Sequence, residues 1–167
     1  ALSYSAVSDN EDVSVSVVDA ELTFTSSEDY NGTASVTVTV SDGFLTDTET
    51  FTLTITPVND APALTSIGDQ TTAEDTPLTI TLSGSDIDGD ALSYSAVSDN
   101  EDVSVSVSGS ELTFSSSEDY NGTASVTVTV SDGFLTDSET FTLTITPVND
   151  APTLDLPSSF SFAEYGT

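Results

Sequence analysis

Apolar and small polar residues alternate along most of this chain. In the stretch from 61 to 150, every second position of several short runs is Val, Leu, Ile, Phe, Tyr or Ala, and Ser or Thr stands between them. A period of two is typical of strands with one buried and one exposed face. The predicted strands are 64–67, 78–82, 92–96, 103–107, 112–114, 126–130 and 141–145.

Turn residues such as Ser-Asp-Gly and Tyr-Asn-Gly separate these runs, and helical periodicity is absent. About seven short strands in about 90 residues predict an all-β, immunoglobulin-like Greek-key sandwich of two sheets. Tyr120 precedes the run that ends at Val130 and stands where a tyrosine corner is expected.

The chain also repeats itself. Residues 1–62 match residues 91–152 at an offset of 90 and differ only at positions 18, 19, 20, 25 and 48. Thr-Pro-Val-Asn-Asp-Ala-Pro closes both copies, and its two prolines stiffen the junction. We predict part of a first repeat at 1–60, a complete repeat at 61–150 and the start of a third at 151–167, as one window of a longer repetitive polymer.

The net charge of the chain limits which partners it can bind. The chain has 29 acidic residues and no Lys, Arg or His, so its formal net charge is −29. Like charges on a compact fold repel, and bound divalent cations would relieve that repulsion. Without cationic side chains we expect neither nucleic acid nor anionic membrane as a partner. The absence of Cys excludes disulfides, and no apolar run is long enough for a membrane span or signal peptide within this window.

The acidic residues of the complete repeat cluster in turns and junctions. Calcium prefers six to eight oxygen ligands from carboxylates, carbonyls and Asn side chains, which these turns supply. The alternative is that each is a solvated turn residue, because Asp and Asn favour turns without any metal. The run Asp86–Asp90 is not an EF-hand loop, since its glycine is fourth and its twelfth position is Val97.

Four motifs follow one another in order: Glu74-Asp75, Asp86–Asp90, the Val130–Gly133 turn and Pro147–Pro152. In this combination the chain resembles the bacterial cadherin-like repeats of large calcium-dependent surface adhesins. The resemblance implies that calcium lies between successive repeats, held by the upstream repeat, the linker and the downstream repeat. It leaves the number of ions per junction open, because the linker lacks a further Asn.

At the first junction the implied ligands are Glu28, Asp29, Asn59, Asp60, Asp86, Asp88 and Asp132, with Asp90 joining or capping the loop. At the next junction they are Glu74, Glu118, Asp119, Asn149 and Asp150. The remaining acids are expected to be solvated or edge-protecting charges without a site. They include Asp99, Glu101, Asp102, Asp137 and Glu139.

A non-catalytic role is predicted, because no nucleophile and base can be assembled without His, Cys or Lys. Paired carboxylates can hydrolyse glycosides, but near-identical copies favour mechanical repetition over a unique active site. The leading hypothesis is a calcium-rigidified spacer in an extracellular adhesin or surface fibre of bacteria, contacting neighbouring repeats of its own chain. The alternatives are lateral or homophilic association with other copies into a calcium-bridged filament, and direct glycan binding.

Overall fold

The computed structural model describes residues 1–156, 159, 161 and 164, and all regular structure in these residues is β-strand. The predicted start of a third repeat at 151–167 therefore lies partly outside the described residues. In the part of the chain that is described, no helix is long and apolar enough to cross a bilayer. The fourteen strands are β1 Ser3–Ser8, β2 Val13–Val18, β3 Glu21–Ser26, β4 Gly32–Ser41, β5 Thr46–Ile55, β6 Ala63–Leu64, β7 Gln70–Ala73, β8 Leu78–Thr81, β9 Gly84–Ser85, β10 Ser93–Ser98, β11 Val103–Ser108, β12 Glu111–Ser116, β13 Gly122–Ser131 and β14 Thr136–Thr146.

The strands belong to two compact units. The N-terminal unit contains Ala1–Ala63, Ser85–Leu92 and Ser131–Thr136, and the C-terminal unit contains Leu64–Gly84, Ser93–Val130 and the chain from Asp137 onward. This grouping differs from the division into repeats, because 85–92 and 131–136 belong to the second repeat by sequence. The repeat boundaries at 60 and 150 stay a prediction.

The C-terminal unit is a sandwich of two sheets. One sheet has the order β10-β13-β14-β7 and the other β11-β12-β8. Strand β7 is parallel to β14, from Leu143 opposite Gln70 to Thr146 opposite Ala73. Alternate residues of each strand point between the sheets, as the period of two predicts. The buried core is formed by Leu82, Val103, Leu112, Phe114, Ala124, Val126, Val128, Phe141, Leu143 and Ile145.

The N-terminal unit repeats part of this architecture. Its sheets have the orders β1-β4-β5 and β2-β3. Phe24 and Phe51 meet edge to face with ring centroids 6.2 Å apart, as Phe114 and Phe141 do at 6.1 Å in the C-terminal unit. Fewer residues are buried in this unit, namely Val13, Ala34, Val36 and Pro62. The same sequence therefore forms the same strands with a smaller core.

A tyrosine braces the turn before β13, at the position predicted for a tyrosine corner. The Tyr120 hydroxyl donates to the carbonyl of Thr123 at 3.4 Å and accepts from the Asn100 amide at 2.6 Å. Tyr30 makes the same contacts in the N-terminal unit. The phenol lies so close to the backbone that a Cβ added at Gly122 would be 2.7 Å from its oxygen. Glycine is therefore favoured there both by the lack of space and by its φ of 156°.

We expect Gly122→Ala to destabilise the C-terminal unit by about 1–3 kcal/mol, because the new methyl group overlaps the phenol. Denaturant titration of the full chain measures this loss. In a Tyr120→Phe background the same substitution should cost less, since the contacting oxygen is gone. An equal cost in both backgrounds would show that backbone conformation, not the phenol, demands glycine.

Candidate metal centres

The acidic loop Asp86–Asp90 is folded by its own first side chain. Asp86 Oδ1 accepts the backbone N–H groups of Asp88 at 2.9 Å and Asp90 at 3.2 Å, and Gly89 has a φ of 79° that suits glycine. One carboxylate oxygen from each of Asp86, Asp88 and Asp90 lies within 4.8 Å of the others. These three predicted ligands are therefore brought together.

The second oxygen of Asp86 is the clearest indication of a cation. Asp86 Oδ2 is buried, and among the described residues it has no hydrogen-bond partner. A buried carboxylate oxygen without a donor is costly, and a bound hard cation would remove that cost. The donor set of this loop therefore fits calcium.

The predicted linker contacts this loop and the neighbouring acidic turn, all within the N-terminal unit. The Asn59 amide donates to Asp132 Oδ2 at 2.8 Å, and the Asp60 N–H donates to Asp88 Oδ2 at 2.8 Å. Asp132 Oδ1 also accepts two N–H groups of its own turn, at 2.6 Å each. The linker residues are thus tied to acids that lie 28 and 73 positions away in sequence.

The upstream acids line a neighbouring cleft of the same unit. Glu28, Asp29 and Asp60 line a cavity of about 340 Å³. Partial removal from water, followed by the charges of Asp29, Asp88 and Asp86, raises the pKa of Asp60 above its ordinary value. All eight residues predicted for the first junction thus belong to the N-terminal unit. The negative charges of the acidic residues among them repel one another.

The pKa of Asp132 moves in the opposite direction. The Asn59 amide, followed by the N–H of Phe134, lowers it below its ordinary value. A lowered pKa contributes stability above the unfolded value, which is lost as the pH falls through the folded one. The raised pKa of Asp60 contributes stability below the unfolded value, which is lost as the pH rises through the folded one.

We predict that Asn59→Ala raises the pKa of Asp132 toward its ordinary value, because the largest cause of its lowering is removed. Carboxyl-detected NMR titration of the full chain measures both values. Asp42 is the matched control, since backbone N–H groups of Leu45 and Phe44 lower its pKa. An unchanged Asp132 pKa in the variant would show that the amide contact does not persist in solution.

A second acidic group lies in the C-terminal unit. Carboxylate oxygens of Asp75, Asp119 and Asp150 lie within 4.8 Å of one another. Partial removal from water, followed by the charges of Asp119, Glu74 and Asp75, raises the pKa of Asp150. Sequence reasoning placed Asp119 and Asp150 among the ligands but left out Asp75. The sequence signal that could have identified Asp75 is the Glu-Asp dipeptide. Asp29, Asp75 and Asp119 all follow Glu, and all have φ near 58°.

The other residues predicted for the second junction are not members of this group of three carboxylates. Glu74 is only 3% exposed, and its two oxygens accept the Val148 N–H at 2.6 Å and the Asn121 amide at 3.2 Å. It therefore braces the fold through hydrogen bonds. Glu118 is exposed and lines a cleft with Asp75. The Asn149 amide donates to the carbonyl of Asp150 at 3.1 Å.

Three of the acids predicted to be solvated or edge-protecting charges also accept backbone N–H groups. Asp99 accepts the N–H of Ser125 at 2.7 Å, and Asp137 accepts that of Leu64 at 2.8 Å. Glu139 binds the turn at 66–68 through the N–H groups of Ile67 and Gly68 and the hydroxyl of Ser66. Those N–H groups lower the pKa of Glu139. These carboxylates thus accept backbone N–H groups, as the carbonyl groups of a neighbouring strand would.

We expect Glu139→Ala to lower the unfolding free energy of the full chain by about 1 kcal/mol, because three donors lose a charged acceptor at a partly exposed site. Glu49 occupies the same position in the first copy and has no such turn against it among the described residues. Glu49→Ala is therefore the matched control and should have little effect. Equal losses in thermal or denaturant unfolding would contradict this role for Glu139.

Comparison with known proteins identifies the family and the fold. A family model described as a bacterial Ig domain matches residues 1–56 and 59–146. Over 122 residues the chain is 35% identical to chitinase A of Pseudoalteromonas piscicida, a match that covers 72% of the chain and 15% of that relative. The chain thus spans a small part of that protein's length.

Among solved structures, human protocadherin-24 EC1-2 has a TM-score of 0.57 at 16% identity, covering 90% of this chain and 83% of that one. This similarity confirms the fold. Titin domains Z1Z2, solved in complex with telethonin, have a TM-score of 0.44 at 14% identity and cover 89% of this chain and 83% of theirs.

Proposed function

The chain belongs to the bacterial Ig domain family, and from that premise we propose that it is a calcium-rigidified structural repeat, a spacer in an extracellular adhesin or surface fibre. Domains of this family are commonly extracellular, and the immunoglobulin-like and cadherin-like fold is established by both comparisons. The role of calcium and the place in an adhesin are what we propose beyond the family and the fold.

One observation carries the calcium proposal: the buried Asp86 Oδ2 beside the carboxylates of Asp88 and Asp90. We assign Asp86, Asp88 and Asp90 as the residues that would hold the cation, with Asp60 and Asp29 close enough to respond to it electrostatically. The cation would supply positive charge where this chain has none. Asp75, Asp119 and Asp150 form the corresponding donor set in the C-terminal unit.

Calcium suits these donors better than other common metals. The chain offers neither His nor Cys, which zinc and copper sites use. Carboxylates on flexible turns suit the variable, oxygen-rich coordination of calcium more than the strict octahedron of magnesium. The ligand chemistry therefore points to a hard cation with tolerant geometry.

Rigidity would follow from the linker contacts. Asn59 and Asp60 already bind Asp132 and Asp88 through hydrogen bonds. A cation beside these acids would reduce the repulsion between Asp60 and its neighbours, which adds to partial removal from water in raising the pKa of Asp60. The linker would then be held in one arrangement, as a spacer requires.

A non-catalytic role is part of the proposal. Domains of this family are typically non-catalytic, and the name chitinase belongs to a relative of which this chain covers 15%. Release of soluble sugars from chitin by the purified chain would contradict the proposal.

We expect calcium titration of the full chain by calorimetry to show saturable binding and a rise in melting temperature. Asp86→Asn with Asp88→Asn should weaken binding by about tenfold or more, because a charged ligand becomes neutral twice. Glu101→Gln is the matched control and should bind like the unchanged chain. Scattering with and without chelator should show a less rigid particle without calcium. Equal binding by both variants, or none by the unchanged chain, would contradict the site.

Asp60→Asn separates charge repulsion from metal binding. In calcium-free buffer at neutral pH we expect this variant to melt at a higher temperature than the unchanged chain, because a carboxylate with a raised pKa is removed. With saturating calcium the advantage should shrink or reverse. A lower melting temperature without calcium would show that Asp60 is not under repulsion.

A further inference from the structure

The side chain of Asn121 helps to connect three parts of the C-terminal unit. Its amide donates to Glu74 Oε2 at 3.2 Å, and Glu74 Oε1 accepts the N–H of Val148 at 2.6 Å. Glu74 follows β7, Asn121 precedes β13, and Val148 lies in the segment after β14. One buried carboxylate therefore joins the turn before β13 to the segment that follows β14.

Asn121 is followed by glycine, and the Asn-Gly dipeptide is chemically labile. The backbone nitrogen of the following residue can attack the side-chain carbonyl carbon of Asn and close a five-membered succinimide ring. Glycine has no Cβ to obstruct this attack, and Asn is among the thermolabile residues. Asn121 and Gly122 therefore place the two reacting groups next to each other in sequence.

The fold itself keeps glycine at this position. Gly122 has a φ of 156°, and a Cβ added there would be 2.7 Å from the phenol oxygen of Tyr120. A bulkier residue would slow the cyclisation, but the tyrosine that braces the turn disfavours one. The labile dipeptide is therefore a consequence of how this turn packs.

Water reaches Asn121, as hydrolysis of a succinimide requires. Asn121 is exposed, although its partner Glu74 is only 3% exposed. Asn31 occupies the same position in the first copy and is exposed as well, and residues 85–92 belong to its unit. The exposure of this asparagine thus persists where part of the following predicted repeat belongs to the same unit.

The hydrogen bond to Glu74 opposes the reaction. Attack requires the Asn121 side chain to turn its carbonyl carbon toward the Gly122 nitrogen, and this rotation breaks the contact with Glu74. A hydrogen bond to an ionised acceptor is stronger than one between neutral groups, so the reactive arrangement is seldom populated while Glu74 is in place. The folded unit therefore slows the reaction that its own turn makes possible.

We propose that Asn121 is a site of spontaneous deamidation, slowed by Glu74, whose product releases the segment after β14 from the fold. The Gly122 nitrogen loses its proton and forms a bond to Asn121 Cγ, the Cγ–Nδ2 bond breaks, and Nδ2 leaves as ammonia. Water then opens the succinimide at either carbonyl and gives aspartate or isoaspartate. The reaction needs only water, so this inference does not rest on the proposed calcium role.

The product carries a carboxylate where the Asn121 amide was. A carboxylate donates no hydrogen bond, and it faces the Glu74 carboxylate where the amide had donated. The two negative charges repel, and the chain has no cationic side chain to offset them. Glu74 is displaced, and the Val148 N–H loses its acceptor. One covalent change thus loosens the end of the unit irreversibly.

Mass spectrometry of the full chain tests the reaction. Incubation in mildly alkaline buffer with chelator is followed by cleavage after Glu, which releases the peptides 29–49 and 119–139. These peptides differ only in Thr48 against Ser138, so each Asn-Gly dipeptide is measured separately. We expect the mass gain of deamidation to accumulate in the peptide 119–139. No gain over the time in which a free synthetic peptide of this sequence converts fully would overturn the proposal.

The Glu74→Ala variant tests the protecting contact. Conversion at Asn121 should become about tenfold faster, because a hydrogen bond to a charged group no longer opposes it. Asn31 is the matched control, since Glu74 lies outside its unit, and its rate should not change. An unchanged rate at Asn121, or equal acceleration at both positions, would overturn the proposal.

Exchanging the two side-chain groups tests the consequence and does not depend on Glu74→Ala folding. Asn121→Asp reproduces the product and should lower the melting temperature by about 4–8 °C and speed hydrogen exchange at Val148. Adding Glu74→Gln places an amide opposite a carboxylate again, so both properties should recover toward those of the unchanged chain. A double variant no more stable than Asn121→Asp alone, or unchanged exchange at Val148 in that single variant, would overturn the proposal.

Discussion

Negative charge without any positive side chain is the constraint on which this structure depends. Each of the 29 carboxylates must be satisfied by water, an amide, a backbone N–H or a cation from solution. Several accept backbone N–H groups: Asp132 from its own turn, Glu139 from Ile67 and Gly68, and the buried Glu74 from Val148. In other proteins acidic side chains often form salt bridges. In this chain they hold loops in place through hydrogen bonds.

Two acidic groups among the described residues bring carboxylates close together. Within Asp86, Asp88 and Asp90, and within Asp75, Asp119 and Asp150, carboxylate oxygens lie within 4.8 Å of one another. Partial removal from water, and then the charges of neighbouring acids, raise the pKa values of Asp60 and Asp150. The calcium binding proposed above would act on this same charge distribution.

The alternation of apolar and polar residues predicted the strands that bury one face. It did not predict the strands, or parts of strands, that lack a buried face. The alternating run at 126–130 lies inside β13, which begins at Gly122. The first half of β14 has no apolar pattern because it is exposed, and Gln70–Ala73 lacks large alternating side chains. The predicted strand at 64–67 is mostly a turn, since Glu139 binds the N–H groups there. Such contacts span more than 70 positions, and periodicity carries no information about them.

Parallel pairing of β7 with β14 has a mechanical consequence. These strands lie near the start and the end of the predicted complete repeat, and four residue pairs join them, from Leu143 and Gln70 to Thr146 and Ala73. Tension applied through 61 and 150 would pull the two strands along their axes in opposite directions. The hydrogen bonds between them would be loaded in shear and would have to break together, whereas an unzipping hairpin breaks them one at a time. A repeat built in this way resists stretching through its strand order, whatever holds its ends.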